Sequence, residues 1–118
     1  MATQFAAMSG VPFVLQSVKT TGNGEILAIP QSFTVHSFII TAATGVTAGA
    51  VQIEKSNDPA DANVWDPLTA TPTTVVAASD VSIDYIGRLN FVRARISTTI
   101  SGGGAPSVTV TYLGAKGY

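Results

Sequence analysis

The chain holds one histidine, His36, and no cysteine. A histidine can serve as base, acid or metal ligand, but each role needs a companion group within reach. The neighbours of His36 at alternate spacing are Thr34 and Phe38. Neither is a partner for catalysis, so the expected role is a packed or rim histidine with one hydrogen bond. Without cysteine there is no disulfide scaffold, thiolate metal site or cysteine nucleophile. Serines are plentiful, yet none stands in a nucleophile-elbow pattern and no Ser-His-Asp arrangement is supported. Asp58, Asp61 and Asp66 cluster around Trp65. Their spacing lacks the alternating ligands and turn glycine of a calcium loop. Asp58-Pro59 and Asp66-Pro67 are better explained as turn starts, with each carboxylate bonding its own backbone. Nothing marks a carboxylate pair suited to glycoside hydrolysis. Gly102, Gly103 and Gly104 are followed by neither Lys-Ser/Thr nor a helix, which excludes a phosphate loop. No catalytic residue, metal site or cofactor is expected.

Two side-chain groups remain. Trp65 stands alone on a polar loop, where it could stack on a sugar ring or plug the end of the fold; burial of tryptophan favours the plug. Arg93 and Arg95 point to one face of one strand, about 7 Å apart. They must be solvated, paired with carboxylates or pressed against a partner.

The elements that position these residues are short strands. Glu occurs twice, Lys three times and Leu five times, so helix propensity is weak. Ala, Val, Ile, Ser and Thr dominate, and Gly or Pro recurs about every ten residues, the pattern of an all-β sandwich or barrel. Strands are expected over Val11–Val18, Glu25–Ile29, Ser32–Thr41, Ala50–Lys55, Thr73–Ala78, Val81–Tyr85, Leu89–Ile96 and Ser107–Leu113. Ser101–Pro106 reads as a long hairpin loop joining the last two. In the strand over Ser32–Thr41 both faces are substantially apolar, which implies cover on both sides, or over its far end. The fold class is therefore all-β: a single antiparallel β-sandwich or jelly-roll-like barrel of about eight short strands. Residues 1–10 read as a flexible N-terminal arm and residues 11–118 as the single domain.

Composition narrows the function. The chain has 118 residues, a net charge of −1 and only 11% charged residues, less than half the usual share of about 25%. Six dispersed cations do not make the basic face that nucleic acid needs. No apolar run approaches the roughly 20 residues of a membrane helix. The start lacks the basic segment of a secretory signal. The balance favours a structural or binding module over an enzyme.

One stretch carries a resemblance. Val51-Gln52-Ile53-Glu54-Lys55-Ser56-Asn57-Asp58 leads to Trp65 and Leu68. Phe91-Val92-Arg93-Ala94-Arg95-Ile96 follows, then a Gly-rich turn and Ser107-Val108-Thr109-Val110-Thr111. This pattern resembles the small β-sandwich virion structural proteins of tailed bacteriophages, over about half the chain. The loop after Asp58 carries Pro59-Ala60 where such chains often have glycine. The resemblance implies a non-enzymatic virion protein. The preferred role is a capsid decoration, or cement, protein on the virion surface, made in the host cytoplasm and bound to the major capsid protein. The alternatives are a fibre or baseplate module binding a host glycan, and a tail or neck connector. A positive mean hydropathy of +0.36 without a membrane segment points to apolar surface covered by another chain, hence a homo-oligomer with a trimer favoured over a dimer. Interface candidates are Phe5, Met8, Val11, Phe13, Arg93 and Arg95; no nucleic-acid or membrane partner is expected.

Overall fold

The computed structural model describes residues 10–57, 64–75 and 80–116, and the backbone of residues 4–6. Among them lie eleven strand segments and no helix: β1 (Gln4–Ala6), β2 (Phe13–Lys19), β3 (Gly22–Asn23), β4 (Ile26–Ala28), β5 (Phe33–Ala42), β6 (Val46–Ser56), β7 (Asp66–Pro67), β8 (Thr73–Thr74), β9 (Asp80–Ile86), β10 (Phe91–Gly102) and β11 (Val108–Lys116). They form two sheets. The first runs β1-β4-β10-β6-β7, with β3 also on β10 and β8 also on β6; the second runs β2-β11-β5-β9.

The segments β3 and β4 flank one edge of β10, bridged by the Gly24 N–H donating to the Ala94 carbonyl at 2.8 Å. They act as one strand with a break. The same holds for β7 and β8 along β6, where the Leu68 N–H donates to the Ile53 carbonyl at 2.8 Å. Each sheet then has four main strand positions, and the chain crosses between sheets at nearly every connection. This order is that of a double-sheet jelly roll, with β1 added in parallel along β4.

Alternation builds the core. Phe38, Ile40 and Ala42 of β5 face inward with Val108, Val110 and Tyr112 of β11. Val51 and Ile53 of β6 and Val92, Ala94 and Ile96 of β10 meet them from the other sheet. These side chains are withdrawn from water almost completely, each contributing roughly 1.5–3 kcal/mol for a Val, Ile or Phe. Gln16 of β2 stitches the sheets together, its Nε2 donating to the Gly22 and Ala94 carbonyls at 2.9 Å each.

Two corners require glycine. At Gly102 the backbone adopts φ +150° and runs against Gly45, where a side chain would collide with the Gly45 carbonyl. At Gly114 a Cβ would meet the Tyr112 hydroxyl, so this glycine gives a buried phenol its place.

The last two strands differ from the expected hairpin. β10 pairs with β6 and β11 pairs with β5, so residues 103–107 cross between sheets. Alternation fixes which face a residue takes, not which strand lies beside it. β10 and β6 also run several residues beyond their expected ends, through Ser97–Gly102 and Val46–Gly49. Those stretches lack clean alternation, and pairing to each other with register shifts carries them. The expected arm contains a strand: Gln4, Phe5 and Ala6 pair with Ile26, Leu27 and Ala28. The second face of β5 is not fully covered, since Val35 is 43% exposed.

Candidate functional site

Three arrangements bring chemistry-bearing side chains together. On the outer face of the first sheet, Arg93 of β10 lies opposite Glu54 of β6, and Arg95 lies opposite Gln52. That register puts one carboxylate between two guanidinium groups. Arg93 Nε donates to Glu54 Oε1 at 2.8 Å and Arg95 Nε donates to Glu54 Oε2 at 3.1 Å. The side chains of Glu54 and Arg93 are only 8% and 13% exposed, that of Arg95 41%. Trp65 covers the cluster, with the Arg93 guanidinium carbon 4.3 Å from the ring centroid. Such a cation–π contact is worth roughly 0.5–2 kcal/mol depending on desolvation. Gln52, buried on the same face, donates through Nε2 to the Thr69 hydroxyl at 3.1 Å and so pins the bulge between β7 and β8. This face is sealed from within: its charges meet each other.

Trp65 is half-buried and lies against the outside of a sheet rather than inside the sandwich. Beside its loop is a cleft of about 430 Å³ with Lys55, Asn57, Asp66, Arg88 and Asn90 among its lining residues. There Asn90 Nδ2 donates to Asn57 Oδ1 at 2.6 Å. Asp58 and Asp61 lie outside the described residues, and Asp66 is exposed. Among the described residues no group of three metal-ligating side chains occurs.

The second arrangement is in the core. His36 is 1% exposed and shares the inward row of β5 with Phe38. It makes two hydrogen bonds, not one. Nε2 is 2.8 Å from the Gly87 carbonyl oxygen and Nδ1 is 2.7 Å from the Tyr112 hydroxyl. A carbonyl only accepts, so Nε2 carries the proton; the neutral ring then accepts at Nδ1 from the Tyr112 O–H. Burial holds the imidazole below its usual value of 6.5, against the smaller opposing pull of the Gly87 carbonyl. Burial also pushes the Tyr112 phenol above its usual value. Both ring nitrogens are thus engaged within the fold. The histidine ties β5, β11 and the turn after β9 together. Sequence spacing could not show this, because its phenol partner lies 76 residues away.

The third arrangement is the outer face of the second sheet. At one end Thr109, Thr41 and Asp80 line up, at the next row Thr111, Ile39 and Ser82. At the other end Ala115, Val35 and Ile86 form a row beside Leu113, Ser37 and Asp84. Val35, Leu113, Ala115 and Ile86 all border a shallow depression of about 400 Å³. Ile86 is 82% exposed, the highest value of any exposed large apolar residue described.

Of the interface candidates, Val11 is exposed and Phe13 packs partly against the core. Phe5 lies in β1 opposite Leu27, and Met8 falls outside the described residues. Arg93 and Arg95 are joined through Glu54. Val35 and Ile86 were not candidates, although each departs from the polar-outward pattern of its strand.

No protein-family model and no curated protein matches the sequence. Among solved structures, the fold is similar to that of the SPBc2 prophage-derived protein YomS, with a TM-score of 0.56 and 12% identity, covering 89% of this chain and 92% of that one. The likeness is one of fold.

Proposed function

We propose that this chain is a non-enzymatic structural protein of a tailed-phage particle, a decoration protein seated on the outer capsid shell and bound to the major capsid protein. The observation that carries the reading is the contrast between the two kinds of side chain. His36, Glu54, Arg93 and Arg95 are bonded to one another or to the fold, although one buried oxygen of Glu25 has no such partner. The apolar end of the second sheet, with Val35 and Ile86, is left uncovered. A protein with that distribution acts by presenting surface. The jelly-roll order is one that capsid and lectin domains share, and a prophage-derived protein has a similar fold; both lend support by analogy. The test is addition of the purified chain to phage shells lacking it. Saturable binding at a fixed number of copies per shell, with greater resistance of the shell to heat, is the expected result. Absence of binding at micromolar concentration contradicts the reading.

The cleft beside Trp65, with its amide, carboxylate and guanidinium groups, favours a second reading as a fibre or baseplate module for a host glycan. A glycan array distinguishes the two: loss of a specific signal on Asn90→Ala supports the glycan module.

A further inference from the structure

The six lysines and arginines of the chain are Lys19, Lys55, Arg88, Arg93, Arg95 and Lys116. Glu54 takes up Arg93 and Arg95. Of the other four, two line one cleft, the one of about 430 Å³ beside the Trp65 loop: Lys55 near the end of β6 and Arg88 between β9 and β10. Neither makes an ion pair among the described residues. Lys55 Nζ lies 5.9 Å from the centroid of the Tyr85 ring, which leaves its charge without a counter-ion. The backbone around Arg88 is pinned on both sides. The Gly87 N–H donates to the Thr34 carbonyl at 2.8 Å, and the Gly87 carbonyl accepts from His36 Nε2 at 2.8 Å. At Asn90 the carbonyl accepts from the Ile29 N–H at 2.8 Å. Leu89 between them packs into the core. The Arg88 side chain is thus presented from a fixed backbone and is itself exposed.

The same cleft holds groups of another kind. Asn90 Nδ2 donates to Asn57 Oδ1 at 2.6 Å, which leaves the Asn57 amide N–H groups and the Asn90 amide oxygen for a ligand. Asp66 pairs in register with Lys55 between β7 and β6, yet forms no ion pair with it. The two cations call for an anion, whereas the Asp66 carboxylate accepts only from a donor such as a hydroxyl. One small frame that carries a carboxylate and several hydroxyls answers both demands, and the cleft lies within the range of about 300–1,000 Å³ usual for small-molecule sites. We infer that this cleft takes a carboxylate-bearing sugar, with Arg88 and Lys55 holding the carboxylate and Asp66, Asn57 and Asn90 reading the hydroxyls. The planar guanidinium of Arg88 suits the two carboxylate oxygens, and Lys55 adds a point charge. A neutral sugar would leave both cations without a counter-ion. An acidic peptide would bring further carboxylates towards Asp66 with few hydroxyls to offer it. The inference rests on the reading of this cleft as a glycan site and names the class of sugar; it does not depend on where the chain sits in a particle.

The experiment is titration of the full chain with glucuronic acid and with N-acetylneuraminic acid, each beside its methyl ester, followed by heteronuclear NMR of the side-chain amides. The ester keeps the ring and its hydroxyls and deletes the charge. At least one acid is expected to bind with a dissociation constant on the order of 1 mM and to shift the Asn57 and Asn90 amide signals. Its ester should bind at least about tenfold more weakly. Arg88→Gln should weaken the acid about tenfold and Lys55→Gln about threefold, with the ester unchanged in both. Neither side chain makes a hydrogen bond or ion pair among the described residues, so far-ultraviolet circular dichroism should stay the same. Lys19→Gln, a change to an exposed cation that lines a different groove, should leave the affinity as it was. Acid and ester binding alike at Asn57 and Asn90 overturns the inference while the glycan reading stands. No binding of any of the four at about 20 mM overturns both. Acid binding indifferent to Arg88 overturns the inference, and a glutamate-rich peptide that shifts these amides where the sugar acids do not overturns it in favour of a protein partner.

Discussion

The two outer faces of the sandwich solve the same problem in opposite ways. The first sheet carries a glutamate, two arginines and a glutamine outward, yet Glu54 and Gln52 are buried because Arg93, Arg95, Trp65 and the Thr69 bulge cover them. The second sheet carries hydroxyls at one end and Val35, Leu113, Ala115 and Ile86 at the other, with Val35 and Ile86 open to water. Residue polarity alone would assign the charged face to recognition and the apolar face to packing. The geometry reverses this. The charges pair with one another across the sheet and the apolar end lies open to water.

Disruption of the sealed face should have the largest effect. Glu54→Ala leaves two guanidinium groups facing each other, one of them well buried, and should cost about 2–4 kcal/mol in a denaturant titration. A loss below about 0.5 kcal/mol would mean that the face is not sealed by this carboxylate. Trp65→Ala removes the cover over Arg93. A tryptophan buried inside the protein or at a subunit interface, as expected from the sequence, would cost about 3–5 kcal/mol on truncation. The half-buried ring stacked on a guanidinium implies about 1–2 kcal/mol.

The floor beneath the apolar end gives a pH dependence. Because burial lowers the folded-state value of His36, the unfolded chain takes up a proton more readily than the folded one. The associated stability is fully present above pH 6.5 and is lost as the pH falls through the lower folded-state value. Tyr112→Phe removes the hydroxyl that donates to Nδ1 and leaves a buried acceptor unpaired, for a loss of about 1–2 kcal/mol at pH 7.5 or so. Thermal melts between about pH 5 and pH 8 should show the decline on the acid side. Improved stability at acid pH in the parent chain would refute the latch. The smallest effect belongs to the open face: Ile86→Ser should change monomer stability by no more than about 0.5 kcal/mol.

Sequence made the strands legible where alternation was clean. Val108, Val110 and Tyr112 of β11 and Val92, Ala94 and Ile96 of β10 take the core positions that alternation implies. The partners of these strands were hidden, because period-two patterns carry no information on which strand lies alongside. Hence β10 and β11 looked like a hairpin and instead lie in different sheets. Pairing of Arg93 and Arg95 with carboxylates was among the expected fates, but Glu54 emerged as the acceptor only from the register of β6 against β10. In sequence His36 reads as a packed or rim residue, because both faces of its strand are substantially apolar; the structure places it inward with Phe38 and Ile40. Its phenol partner was not legible, since Tyr112 arrives from the far end of the chain. Ile86 was passed over because a single exposed isoleucine looks ordinary until the sheet sets Val35 and Ala115 beside it.

Hydroxyl-radical footprinting of the chain, free and then mixed with phage shells lacking it, tests the division of labour between the faces most directly. The account predicts protection of Val35, Ile86 and Leu113 on association, with Trp65 and Arg95 labelled equally in both states. Protection at Trp65 and Arg95 with Ile86 unchanged would contradict it.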